Sequence, residues 1–388
     1  MDIQLLAAHK VADAQQWADC WATLPAERRD VYFHPAYALA NEVDGRGEAL
    51  CYVAKRGPAL LLYPFLRGPV PESAALGIEA PISDIQTPYG YGGPVVNDAG
   101  EEEGFLNASW AAFGDWCRQS DIIAEFIRFH PLLRNERWAS ASTRILFNRR
   151  TVFLDLQSYP ADFHAKSCFQ NHRQTVHRAI RAGATTEKVP ADQGLAWFGP
   201  KYAETQNALG AGAETRFSPA YFASLARDLG AKVSLWSARH TSGAMARAIL
   251  ELESDVFSHG HLMAFGEASA LAGASNLLLH RIALDAAERG LRMMHIGGGR
   301  ARGDEDALFK FKSRVAPGRA EFRIGTCCHQ PERFEQLRRG WVAQRGPAPT
   351  DRFLFYRASA QGRTNAGKEQ SKLQDTGDSR AEARLAGP

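Results

Sequence analysis

Residues 291–317, LRMMHIGGGRARGDEDALFKFKSRVAP, run an apolar strand-like segment into Gly297, Gly298 and Gly299 and then into an acid-started helix bearing Lys310 and Lys312. Glycines let a ligand come close to the backbone, and N–H groups bared there receive anionic or carbonyl oxygens. The stretch reads as a binding edge or as a flexible turn followed by two solvated lysines. His130 ends another strand-like run, beside Arg128 and directly before Pro131. An imidazole with its ordinary pKa of about 6.5 accepts protons near neutrality, so His130 is a candidate base; its alternative is a hydrogen-bonded packing role. Asp84, Tyr89 and Tyr91 sit in a tract, 81–94, stiffened by Pro88, Gly90, Gly92, Gly93 and Pro94. Phenol rings stack on sugars and donate hydrogen bonds, and the carboxylate of Asp84 would steer a protonated amine; the alternative is a specialised turn with core tyrosines. A fourth group, His172, Arg173, His177, Arg178 and Arg181, shares one helical stretch that either meets phosphates or faces water.

Other chemistries fit less well. Six cysteines fall at 20, 51, 117, 168, 327 and 328 with no CxxC pair, which suits a reducing compartment better than a disulfide framework or a zinc site. His259 and His261 alternate along one strand and are read as lining or buttressing a sheet, without two more ligands at a familiar metal spacing. A formal charge of +3 permits a phosphorylated substrate or an RNA end without requiring either. The start, MDIQLLAAHKVADAQQW, lacks signal-peptide organisation, and no run approaches a membrane span, so a cytoplasmic protein is expected.

The positioning elements alternate between helix and strand. A helix is expected over 15–24, strands over 50–55 and 59–66, a shaped loop over 81–94, a helix from 101–103 through Cys117, and a strand over 124–129. A second unit begins with a strand at 151–156 and continues with a helix over 171–183 stopped by Gly183. Strands follow at 233–238, 244–252 and 254–265. Ser275 or Asn276 should cap the next helix, and a strand returns at 291–296. Asp304 should cap a helix over 304–314 whose Leu308, Phe311 and Val315 face a core. A helix over 332–342 and a strand-like 353–356 precede a polar tail, 358–388, expected to be disordered. With 388 residues and 45% hydrophobic content, two domains fit better than one.

Five colinear pieces together resemble the Fem-type aminoacyltransferases and their BioF2-like relatives in the GNAT superfamily. They are DIQTPYGYGGP, EFIRFHPLLRN, NHRQTVHRAIRAG, HGHLMAFGEASALAGASNLLLHRIALDAAERG, and GGG followed by acidic residues and FKFK. The resemblance covers roughly residues 30 to 325. It implies an α/β fold of two tandem GNAT-like domains with mixed sheets. Residues 1–150 would form the acceptor side, completed by 330–357, and 151–329 the donor side. It implies transfer of an acyl group from acyl-CoA to the amine of an amino sugar, nucleotide sugar or similar cell-envelope or polysaccharide precursor. The alternatives are an aminoacyl-tRNA-dependent transferase and, from another class, a non-catalytic glycan- or RNA-binding protein. No permanent cofactor or metal is expected, and peripheral contact with a lipid-linked substrate is compatible.

On this reading His130 and Asp84 serve the chemistry and Tyr89, Tyr91, Arg128, Asn135 and Arg173 hold the acceptor. Gly297, Gly298, Gly299, Lys310 and Lys312 hold the donor, with Phe311 anchoring Lys312 by packing. Two departures from the family pattern stand out. His130 occupies a strand end that in Fem enzymes often carries Asp before Pro. Residues 270–276, ALAGASN, lack the full Arg/Gln-x-x-Gly-x-Gly/Ala loop of CoA-using relatives.

Overall fold

A computed structural model describes residues 1–268, 270–350 and 352–357. The expected disordered tail, 358–388, lies outside the described residues. The first half contains β1 (Asp2–Ala7), α1 (Val11–Ala22), α2 (Pro35–Val43), β2 (Glu48–Arg56), β3 (Ala59–Pro69), β4 (Ser83–Gln86), β5 (Val95–Val96), α3 (Glu103–Gln119) and β6 (Ile122–Arg128). The second contains β7 (Arg144–Asp155), α4 (Tyr159–Ala165), α5 (Gln170–Arg181), β8 (Thr185–Pro190), α6 (Ala191–Ala208), α7 (Pro219–Leu229), β9 (Val233–Arg239), β10 (Met245–Glu253), β11 (Phe257–Phe265), α8 (Ala274–Glu288), β12 (Met293–Gly298) and α9 (Ala307–Val315). After these come β13 (Gly318–Cys328) and α10 (Pro331–Arg345).

All strands belong to one mixed sheet with the order β1-β2-β3-β4-β6-β13-β7-β12-β11-β10-β9-β8, and β5 pairs off this path with β3. The strand that joins the halves is β13, antiparallel to β6 on one side and to β7 on the other. Sequence periodicity did not mark it: in GRAEFRIGTCC charged and apolar side chains are interleaved, and only Gly325–Cys327 are buried in succession. By contrast β2 and β3 are almost continuously buried, as expected for strands covered on both faces.

Four expectations need correction. Residues 83–86, placed in a loop, form β4, because a short strand between β3 and β6 satisfies their backbone groups despite the flanking prolines. The α8 cap is Gly273, with a left-handed φ of 80°, and neither Ser275 nor Asn276 caps the helix; Asn276 instead reaches His172 Nδ1 at 3.0 Å. The α9 cap is Asp306, whose carboxylate accepts from Phe309 N at 2.9 Å and Ala301 N at 3.0 Å, whereas Asp304 pairs with Arg150. Residues 355–357 make a short 3₁₀ turn rather than a strand.

Each half has its own core, Trp17, Tyr63, Phe65 and Phe113 in the first and Tyr159, Phe163, Leu278 and Met294 in the second. A third core crosses between them: Val31, Tyr32, Tyr37 and Ala40 pack with Phe198, Tyr221, Leu225 and Leu250. It seats the segment around Asp30 and α2 against the second half and so sets the geometry of the site. A fourth joins Ile78, Ile82 and Ile123 to Phe334, Leu337 and Trp341 of α10.

Candidate active site

The site forms where the third core meets the ends of β6, β11 and β12. At its centre is Asp30, fully buried. Its Oδ1 accepts from Tyr32 N at 3.0 Å, and its Oδ2 lies 2.7 Å from His259 Nε2 and 3.3 Å from His130 Nε2. Burial alone would favour the neutral acid, but the two histidines outweigh it and hold the carboxyl well below its usual range. His261, one bulged residue beyond Gly260 on β11, sits between Tyr32 Oη at 3.1 Å and Tyr221 Oη at 3.0 Å. His295 on β12 packs edge-on to Tyr91 with ring centroids 4.8 Å apart, and its ring is 5.8 Å from that of His259. Burial pushes His261 down to about 3 and His295 well below its ordinary value, so both rings are neutral.

Outside this buried cluster lies a half-exposed mouth made of Tyr89, Tyr91, Arg128, Arg149, Gly297, Gly298, Gly299 and Lys312. Gly297 adopts φ +79°, a conformation that L side chains rarely take, and a Cβ there would stand 3.2 Å from Lys312 Nζ and 3.7 Å from Tyr91 Oη. The lysine-bearing helix and the tyrosine turn therefore face the same point. Lys312 donates to the Gly298 carbonyl at 2.9 Å, and burial lowers it to about 8. Arg149 donates to the carbonyls of Gly299 and Arg300 at 2.6 and 2.8 Å. Arg128 donates to the Thr87 carbonyl at 3.0 Å, and burial lowers it to about 10.

Of the residues expected from sequence, His130, Tyr89, Tyr91, Arg128, Gly297, Gly298, Gly299 and Lys312 come together here. Four do not. Asp84 stands in β4 with its carboxylate gripped by Arg357 at 2.7 and 2.8 Å, so it has no free oxygen face for an amine. Lys310 is exposed and paired with Glu305. Arg173 donates to the Phe163 carbonyl within the second half. Asn135 is buried and spends its amide on structure: Oδ1 accepts from His130 N at 2.7 Å, and Nδ2 donates to the carbonyls of Gly92 and Pro94 at 2.7 and 2.8 Å. It clamps the tyrosine turn to the His130 corner, where Arg134 adopts a left-handed φ of 52°.

His130 is placed at the centre, yet its bonding does not suit a base. Its Nδ1 accepts from Leu133 N at 3.2 Å, so a neutral ring carries its proton on Nε2, facing Asp30, and has no spare lone pair. The same bond bears on metal binding. Asp30, His130 and His259 offer ligand atoms within 4.8 Å of one another, but a cation on His130 Nε2 would leave that ring with no proton while Leu133 still donates to it. The donor set does not fit a metal.

Sequence reasoning missed Asp30, Tyr32, Tyr221, His295 and Arg149, and gave His259 and His261 only the role of lining or buttressing the sheet. The HGH repeat was the available signal. Asp30 offered none, because its importance comes from packing across the halves.

The elements build a two-half α/β fold of the kind seen in FemX. Among solved structures the chain is similar to FemX, at 13% identity over 86% of this chain and 98% of that one, with a TM-score of 0.64. It is also similar to the C-terminal domain of a putative lysylphosphatidylglycerol synthetase from Agrobacterium fabrum, at 15% identity over 86% and 98%, with a TM-score of 0.53. A third similar structure is L-PGS from Bacillus licheniformis, at 11% identity over 83% and 93%, with a TM-score of 0.54. No protein-family model matches the chain, and no curated protein sequence does. At these identities the likeness is one of fold.

Proposed function

We propose that the chain is an acyltransferase that joins an acyl or aminoacyl group to the amine of an acceptor bearing phosphate or carboxylate groups, such as an amino-sugar nucleotide or another cell-envelope precursor. One observation carries this reading: Arg128, Arg149 and Lys312 surround the mouth, and among the described residues none of them forms an ion pair with a carboxylate. Half-buried cations that donate only to carbonyl oxygens, with Asp306 acting on Lys312 and Arg149 from beyond contact distance and Arg128 lying over the Phe126 ring, are only partly compensated, and a substrate anion offsets the remaining cost. Tyr89 and Tyr91 between them offer ring faces and hydroxyls to a sugar or peptide.

The transfer forms a C–N bond at the acyl carbonyl and breaks its bond to the leaving sulfur or oxygen. Lys312, as an N–H donor beside Gly297 and Gly298, suits the oxygen that gains charge in that step. The putative lysylphosphatidylglycerol synthetase whose C-terminal domain shares this fold is named for a lysyl group joined to a phosphate-bearing partner.

For the donor, the turn before α8 favours aminoacyl-tRNA over acyl-CoA. Helix α5 packs on that turn so closely that a Cβ on Gly273 would stand 2.8 Å from the Thr175 carbonyl oxygen and 3.2 Å from the Ala179 methyl. A pyrophosphate seated there would meet that carbonyl's negative end instead of open N–H groups. Among the described residues no helix is long and apolar enough to cross a membrane. A lipid-linked acceptor would therefore be met at the surface.

The test is turnover by the purified chain with charged tRNA and with acyl-CoA, each against amino-sugar nucleotides and other anionic amines, scoring the mass-shifted acceptor. RNase abolishes transfer if the donor is tRNA and leaves it intact if it is CoA. Arg149→Gln and Lys312→Ala should each raise KM for an anionic substrate about tenfold or more, the scale of one charge-assisted contact. Unchanged KM values for both substrates in both variants would remove the cationic mouth from the reaction.

A further inference from the structure

Three buried ring nitrogens in the cluster have no hydrogen-bond partner among the described residues: His130 Nε2, which meets Asp30 only as an ionic contact at 3.3 Å, His259 Nδ1 and His295 Nε2. A buried acceptor left unmade costs about 1–3 kcal/mol, so such an atom calls for an explanation. For His259 the proton position follows from its neighbours. Asp30 is ionised, and His259 Nε2 stands 2.7 Å from its Oδ2, so the proton sits on Nε2 and the lone pair is on Nδ1. His130 shares the same carboxylate with the opposite outcome, because Leu133 N–H takes its Nδ1 lone pair. Of the two histidines on Asp30, only His259 has an unused basic nitrogen.

We infer that His259, oriented by Asp30, is the proton acceptor of the acyl transfer, reached from the mouth through His295, and that His130 is a positioning residue that fixes the carboxylate. The inference rests on the acyl-transfer reading above. His295 links the two regions: its ring neighbours Tyr91 on the mouth side and His259 on the interior side. A neutral imidazole takes a proton on one nitrogen while releasing one from the other, so a buried ring held neutral suits a relay. The amine, entering neutral, forms the C–N bond and gives up one proton. That proton passes to His295, and His295 hands one on to His259 Nδ1 once its ring turns from the edge contact, at a centroid separation of 5.8 Å, into hydrogen-bonding reach of that nitrogen. The imidazolium at His259 is stabilised by Asp30, and the proton returns by the same path to the departing thiolate or alkoxide. Charges and protons balance, and no further reactant is needed.

The decisive variant is His259→Gln in the full chain, because the glutamine amide can keep the donation to Asp30 while removing the Nδ1 lone pair. Expected are a fall in kcat of about 10²–10⁴-fold, a KM within about threefold of the parent, and loss of the acidic limb of the kcat–pH profile. Asp30→Asn should lower kcat comparably by favouring the wrong tautomer. A His259→Gln enzyme that keeps kcat within about threefold and the same pH profile overturns the inference. A parent chain inert with every donor sinks the transfer reading instead. Nitrogen-15 NMR of the imidazoles is independent of turnover. A protonated Nε2 and bare Nδ1 at His259 support the dyad; the reverse tautomer, or a stoichiometric metal ion in the purified protein, overturns it.

Discussion

Acidification from about pH 7.5 to about pH 5 should remove much of the stability of this fold through its buried histidines. His34, His172, His261 and His280 are pushed down by burial to about 4, 3, 3 and 4. Each is therefore neutral in the native state at pH 5, whereas in the unfolded chain it titrates near 6.5 and is protonated. The unfolded state binds more protons throughout this window, so stability is complete above about pH 6.5 and declines as the pH falls towards the native values. At pH 5 the difference is about 1.5 pH units for each ring, or about 2 kcal/mol at about 1.4 kcal/mol per unit. Four rings give about 8 kcal/mol; Glu251, which burial raises to about 7, takes up a proton in the native state over the same window and offsets about 2 kcal/mol, leaving about 6 kcal/mol, comparable with the whole stability of a typical domain at about 5–15 kcal/mol. The sum depends little on how far below 5 each native value lies. Urea unfolding followed by tryptophan fluorescence at several pH values measures it, and His261→Gln should lessen the dependence by about a third. An unfolding free energy constant to within about 1 kcal/mol across the window would refute the assignment of these rings as neutral and buried.

Arg357→Ala removes the partner of a buried carboxylate and should cost about 3–5 kcal/mol in urea unfolding, with KM values for transfer unchanged. A loss of turnover without destabilisation would return Asp84 to the chemistry. Asn135→Ala strips His130 N, the Gly92 carbonyl and the Pro94 carbonyl of their shared partner. It should cost about 2–5 kcal/mol and accelerate amide exchange in the tyrosine turn; protection equal to the parent's would show that the turn holds itself.

How much could be read in advance depended on whether a feature was local. The near-continuous apolar runs of β2 and β3, the amphipathic α3 and the α5 stop at Gly183 follow from short-range periodicity and turn chemistry, and the five family-like pieces pointed to the fold now seen in FemX and the synthetase domain. Lys312, Gly297 and Tyr91 converge because each lies on a segment whose composition already marked it as special. Asp84 misled because a carboxylate beside a glycine-rich turn looks available, and nothing in its own stretch reveals that an arginine 273 residues away closes it. Asn135 misled in the same way, since a polar side chain beside a candidate base serves a substrate or a turn equally well by type. Asp30 and β13 were invisible for one reason: their roles exist only once distant segments have packed, and neither carries a pattern that period or propensity can detect.

The placement of β13 between β6 and β7 also has a consequence for how the chain is made. Until residues 318–328 leave the ribosome, both neighbours present long unpaired edges at what will become the middle of the sheet. Neither half can be a finished product on its own, and the nascent protein carries two adhesive borders for most of its synthesis. Catalytic competence, which requires Asp30 from the first half to meet His259 from the second, arrives only when the last strand closes the seam.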